Sequence, residues 1–217
     1  MTGRLILLRH GQTFSNLNRV LDARPPGAEL TELGQQQAVD VGHELAEYCG
    51  PGNVERIVTS VAIRAQQTAM RVAASIEEDF SMAPGSLPID IRLGIHEISA
   101  GTLQGTQGEE AAQQYTDAFR GWLDGDEDSM LPEGENHRDV LHRYQPVLES
   151  LVGADKDTIV VSHGAAIRVV STHASGIDPD FAFGAYLANC RFVVLRPEGK
   201  PFGQWTIERW AESAVQI

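Results

Sequence analysis

The sequence predicts a three-layer α/β sandwich, with a mostly parallel central sheet, helices on both faces and a small cap insertion. Two observations carry this. Leu5-Ile6-Leu7-Leu8 and Thr158-Ile159-Val160-Val161-Ser162 are unbroken apolar or β-branched runs, as in strands buried on both faces. Around them, short strand-like runs alternate with stretches of helical periodicity, the rhythm of βαβ units. A chain of 217 residues, 42% hydrophobic and 22% charged, suits a single domain over 1–217 with an insertion around 93–135.

Taken in order, the first strand runs straight into Arg9-His10-Gly11. Phe14 to Leu30, with Asn16, Asn18, Asp22 and Pro25-Pro26-Gly27, has loop composition and is long for a connection. Thr31 suits an N-cap, and Ala38, Val41, Leu45 and Cys49 step at helical spacing up to Gly50-Pro51-Gly52. Arg56 to Ser60 is a second short strand, and Ala65, Ala69, Val72 and Ile76 mark the next helix, with Arg64 in its first turn. Leu87 to Ile91 is a brief extended piece. Residues 93–135 are rich in glycine, glutamine and acid, with one helix expected over Glu109 to Leu123. This stretch is too poor in apolar residues for a core of its own and is expected to fold over the end of the sheet. Val140, Leu141, Tyr144, Val147, Leu148 and Leu151 mark a stronger helix, in which Pro146 predicts a kink. The strand Thr158–Ser162 ends in His163-Gly164 and passes into a helix beginning at Ala165. Arg191 to Leu195 and Gln204 to Trp210 complete the chain as a hairpin.

The formal net charge of −13 argues against nucleic acid or an anionic membrane as a partner. It leaves room for a small anionic substrate, because a pocket's local field can oppose the global one. The apolar run after Arg4 is too short for a signal peptide, and none approaches the roughly 18 residues of a membrane span. A cytoplasmic chain is expected, with Cys49 and Cys190 as free thiols.

Two buried strands ending in His-Gly focus attention on one place. In open α/β sheets ligands bind at the carboxyl ends of the strands. Taken alone, Arg9 and His10 fit either an anion site or the polar end of a strand. Neighbouring parallel strands lie about 4.8 Å apart, so adjacency of these two would turn His10 and His163 toward one crevice. Arg9 and Arg64 would add two guanidiniums, a set matched to a phosphoryl group.

These stretches, taken together, resemble the histidine phosphatase superfamily, the phosphoglycerate mutase-like enzymes. The matching pieces are Leu8 to Thr13 with Asn16, Leu30 to Gly34, Thr59-Ser60 with Arg64-Ala65 and Thr68-Ala69, His96-Glu97 with Gly101 and Gly105, Gly134-Glu135 with Asp139-Val140 and Arg143, and Val161 to Gly164. The resemblance implies that His10 is the nucleophile that takes the phosphoryl group onto its ring. It implies that Arg9, Arg64 and His163 hold and neutralise that group, that Thr13 and Asn16 belong to the substrate-binding set, and that Glu97 is the general acid and base. The Gly164 N–H, at the head of a helix, would add a donor. No metal and no other cofactor are expected, since phosphoryl transfer needs mainly positioning and charge stabilisation.

Between Leu93 and Glu135 the chain has a single arginine, Arg120, and no lysine, and Leu21 to Pro25 lacks the Gly-Trp pattern of the mutases. Both departures favour water as acceptor, hence a phosphomonoesterase acting on a small phosphorylated metabolite. The alternatives are a cofactor-dependent phosphoglycerate mutase and a non-catalytic phospho-ligand-binding protein. Gln104 and Asn136 stand where relatives commonly have glutamate and serine. Asp124 to Glu135 imitates a calcium loop, but Ser129 replaces its glycine and Pro132 interrupts it, so a solvated acidic loop is expected. His96 is a candidate to face the substrate. His43, His137, His142 and His173 are expected at the surface or in helix packing. Tyr186 to Val194 and the last strands offer an edge for a homodimer.

Overall fold

The computed structural model describes residues 3–214. Strands β1 (Leu5–Arg9), β2 (Val54–Ser60), β3 (Ile89–Arg92) and β4 (Asp157–Ser162) are parallel, and β5 (Phe192–Arg196), β6 (Thr206–Trp210) and β7 (Ser213–Ala214) continue the sheet in antiparallel pairs. The order is β3-β2-β4-β1-β5-β6-β7. The two histidine-terminated strands are therefore neighbours, with Leu5 opposite Thr158 and Arg9 opposite Ser162.

The helices are α1 (Phe14–Leu17), α2 (Glu32–Cys49), α3 (Ile63–Asp79), α4 (Glu109–Asp124), α5 (His137–Glu149), α6 (Gly164–Ser175) and α7 (Pro179–Gly184). Strand alternation divides the core between two layers. Ile6, Leu8, Ile57, Ile159 and Val161 pack under α2 and α3, on Ala38, Val41, Leu45, Ala69, Val72 and Ile76. Leu5, Leu7, Val58 and Val160 face the other way, onto Trp122, Val140, Tyr144, Leu148, Ile167 and Val170 of α4, α5 and α6. Ile95, Ile98, Phe119, Trp122 and Leu131 belong to this same cluster, so residues 93–135 contribute to the main core.

Local chemistry accounts for the element ends. The Thr31 hydroxyl accepts from the Gly34 N–H at the start of α2, and Gly50 closes that helix at positive φ. Asn136 and Asp139 form a capping box at the start of α5. The α5 helix runs through Pro146 and stops three residues later.

Several expectations need adjustment. The segment after His10 is not loop throughout, because Thr13 and Asn16 form a capping box that nucleates α1. The extended piece expected at Leu87 to Ile91 pairs only from Ile89, and α7 and β7 had no counterpart in the sequence reading. α7 starts with an Asp178 cap and Pro179 at N1, a helix-start signal carried by the sequence itself. Among the described residues no helix is long and apolar enough to cross a membrane, and Cys49 and Cys190 are buried free thiols.

Candidate active site

The carboxyl ends of β1, β4 and β2 lie side by side and deliver the candidate residues in a row. Arg9 is the last residue of β1, His10 follows it, His163 follows β4, and Arg64 opens α3 just beyond β2. The His10 and His163 rings meet edge to face with centroids 5.2 Å apart. A cavity of about 390 Å³ opens above them, and its wall includes Arg9, His10, Thr13, Asn16, Arg64, Glu97 and Gly164.

His10 is almost wholly buried, with Nδ1 2.7 Å from the carbonyl oxygen of its neighbour Gly11. A carbonyl only accepts, so Nδ1 carries the proton and the lone pair lies on Nε2. Burial, then Arg64 and Arg9, push its pKa well below the usual histidine value. The neutral, nucleophilic form is the resting one, and burial contributes more to this than the arginines do.

His163 is fully buried and does not line the cavity; it stands behind His10 and Arg64. Arg64 Nε donates to His163 Nδ1 at 3.2 Å, which leaves the His163 Nε2 proton to point at Ser60 Oγ, 2.9 Å away. Burial, Arg64 and His10 depress its pKa strongly. In this geometry it aims Arg64. Arg64 Nη2 also donates to the Asp22 carbonyl at 3.0 Å, and burial is the main cause lowering its pKa.

Arg9 Nη1 donates to the Leu187 carbonyl at 2.6 Å and to the Tyr186 hydroxyl at 2.9 Å. Among the described residues, Arg9 Nε and Arg64 Nη1 are buried without a hydrogen-bond acceptor, although Arg64 Nη1 faces the Asp22 carboxylate at 3.8 Å, and both have donor capacity to offer an anion. Gly164 heads α6 beneath Arg9, and a Cβ there would lie 3.0 Å from Arg9 Nε. Gly11 is pinned by its N–H to Thr68 Oγ1 and would strike the Gly34 carbonyl if it carried a Cβ.

Glu97 reaches the cavity from the connection after β3. Its carboxylate accepts from Ala166 N at 2.9 Å and Ala165 N at 3.2 Å, so it sits on the first turn of α6. The connection is fixed from behind by Arg143, which donates to the carbonyls of Gly94, His96 and Glu97 and pairs with Glu135 at 2.7 Å. Burial pushes the Glu135 pKa up, but Arg143 and the Ser99 N–H outweigh it and hold it below the ordinary value.

Gln104 clamps the cavity rim, its Oε1 accepting from the N–H groups of Ala23 and Arg24. His96 is half-buried and off the cavity wall. His137 and His173 stack with centroids 5.1 Å apart between α5 and α6, and His43 pairs with Asp79. The calcium-like acids are otherwise engaged, Asp124 with Arg120 and Glu135 with Arg143. Among the described residues no group of three or more His, Cys, Asp or Glu is placed to hold a metal ion.

Sequence reasoning missed Tyr186, Leu187 and Asn189 beyond α7, which hold Arg9 and Asn16, and Arg168, which lines the cavity and donates to the Ala182 and Phe183 carbonyls of α7. Backbone carbonyls leave no sequence signal, but Arg168, five positions after His163 on α6, was open to inspection.

The sequence model of the histidine phosphatase superfamily (branch 1) matches residues 5–213, and the chain belongs to that superfamily. A glucosyl-3-phosphoglycerate phosphatase of Mycolicibacterium vanbaalenii is 29% identical over 230 residues, covering 97% of this chain and 95% of its own. A 2,3-bisphosphoglycerate-dependent phosphoglycerate mutase of Nitrobacter hamburgensis is 30% identical over 197 residues, covering 88% and 90%. The solved mycobacterial glucosyl-3-phosphoglycerate phosphatase in complex with VO3 shares the fold, with a TM-score of 0.73 at 24% identity over 97% of this chain and all of that one. Phosphatase and mutase relatives alike place the chain among enzymes of phosphate esters.

Proposed function

We propose that this protein is a phosphomonoesterase that hydrolyses a small phosphorylated metabolite through a phosphohistidine at His10. The observation that supports it most is the tautomer lock: the Gly11 carbonyl holds the Nδ1 proton and leaves a lone pair on Nε2, in a cavity whose wall also includes Arg9 and Arg64, each with a donor that has no hydrogen-bond acceptor.

In the first half-reaction His10 Nε2 attacks phosphorus and the ester P–O bond breaks. Glu97 gives its proton to the leaving oxygen. Arg9, Arg64, the Asn16 amide and the Gly164 N–H neutralise the phosphoryl oxygens. In the second, the Glu97 carboxylate takes a proton from water, the water oxygen attacks phosphorus, and the P–N bond breaks. Inorganic phosphate leaves, and His10 and protonated Glu97 are restored. Thr13 contributes by capping α1 and so placing Asn16.

Mutase relatives make a phosphoglycerate acceptor the second reading. Against it, Arg120 lies outside the cavity, paired with Asp124 and Asp180, so residues 93–135 add no cation to the cavity wall. Exchange of 2- and 3-phosphoglycerate outrunning hydrolysis would decide for the mutase.

Incubation with a phosphate ester followed by rapid quenching should trap an acid-labile, base-stable phosphohistidine, absent in His10→Ala. Hydrolysis that persists in His10→Ala with no trapped adduct would overturn the reading, as would ligand binding with no turnover of any ester.

A further inference from the structure

The segment that follows α7 touches the phosphoryl-binding residues at several points. Leu187 and Tyr186 hold Arg9, as described. The Cys190 N–H donates to the Arg9 carbonyl at 3.1 Å, and Asn189 Nδ2 donates to the His10 carbonyl at 3.0 Å. Asn189 Nδ2 also donates to Asn16 Oδ1 at 3.2 Å, and the Thr13 N–H donates to the same oxygen at 3.2 Å.

The orientation of both amides follows from backbone groups that have only one role. The His10 carbonyl can only accept, so Asn189 must turn its NH2 toward it. The Thr13 N–H can only donate, so Asn16 must turn its oxygen toward it. With Oδ1 held by two donors, the Asn16 NH2 is the end left over, and Asn16 lies on the cavity wall. Flipped, the same side chain would face a phosphoryl group with an acceptor and repel it.

We propose that Asn189 is a positioning residue that locks the Asn16 amide with its donors toward the bound phosphoryl group. The proposal rests on the phosphomonoesterase reading above. Asn189, itself oriented by the His10 carbonyl, acts through Asn16 and does not line the cavity. Thr13 alone would hold Asn16 by one bond; Asn189 supplies the second, from a part of the chain more than 170 residues away.

A double-mutant cycle tests this, because coupling is what a merely structural role would not produce. Hydrolysis of p-nitrophenyl phosphate is measured for Asn16→Ala, Asn189→Ala and the double variant, with thermal melts to confirm folding. Each single change should lower kcat/KM about tenfold, and the double variant should lose little more than Asn16→Ala alone. Losses that multiply to about a hundredfold, or an Asn189→Ala variant with unchanged kcat/KM, would overturn the proposal. If alanine at 189 does not fold, Asn189→Ser carries the same cycle. Trapping of the phosphohistidine in the parent chain separates the two levels: with the adduct and without coupling, only the role of Asn189 fails, whereas without the adduct the phosphomonoesterase reading fails first.

Discussion

Glu97 is anchored by α6, the same helix whose first residue, Gly164, lines the cavity. Its oxygens have lone pairs beyond the three bonds they accept from the N–H groups of Ile98, Ala165 and Ala166, so in the proposed reaction it would stay fixed while addressing the leaving group. Glu97→Gln keeps the shape but has no proton to give. It should slow alkyl phosphates by about a hundredfold, within the range for general acid catalysis, and p-nitrophenyl phosphate far less, since that leaving group needs little protonation. Equal losses on both substrates would remove Glu97 from the acid role. His10 makes a second prediction at this scale. Because burial and two arginines depress its pKa, protonation should disable the nucleophile only well below pH 6.5. The acid limb of kcat/KM, corrected for substrate ionisation, should lie there, and Arg64→Met should move it upward by removing a neighbouring positive charge.

The elements hold these residues by close backbone approach. Gly34 opens α2 against the turn after His10, and a Cβ there would sit 2.0 Å from the Gln12 carbonyl. Gly34→Ala should therefore destabilise the fold by about 1–3 kcal/mol, as overpacking does, and should shift the His10 turn; a urea melt and kcat measured together would show both. Arg143 does the equivalent for the Glu97 connection. Arg143→Met would leave Glu135 and three carbonyls without their common donor, and should cost alkyl phosphatase activity more than p-nitrophenyl phosphatase activity if its effect runs through Glu97. At this scale the sequence was informative where a strand runs into a charged residue. Arg9, His10, Arg64 and His163 could be placed together because β1, β2 and β4 were recognisable and ligands gather at strand ends. It was silent on the depth of His163, because burial behind Arg64 depends on how α3 and β4 pack. It was equally silent on Tyr186, Leu187 and Asn189, whose nearness to Arg9 and Asn16 follows from the antiparallel pairing of β5 with β1, a contact between the two ends of the chain.

Across the whole molecule, several histidines are kept neutral by burial. His10, His96, His163 and His173 all have depressed pKa values. In the unfolded chain histidines take up protons below about pH 6.5, whereas these do not when folded. The unfolded state then binds more protons, so stability falls as pH drops below that point. Glu135, Asp157 and Glu208, held below their ordinary values by their arginine and other hydrogen-bond partners despite burial, add a further loss as pH falls below the ordinary carboxylate range. The melting temperature should hold near neutral pH and decline in two stages on acidification, the first of them reduced in a His173→Gln variant.

The place of β1 between β4 and β5 has a consequence for folding. Both its sheet neighbours, Asp157–Ser162 and Phe192–Arg196, lie more than 140 residues further along the sequence. Arg9 and Asn16 are therefore framed only when the distant stretch from Tyr186 to Asn189 has docked on them. Closing that long loop is slow relative to local structure, so the cavity should be among the last features of the fold to form.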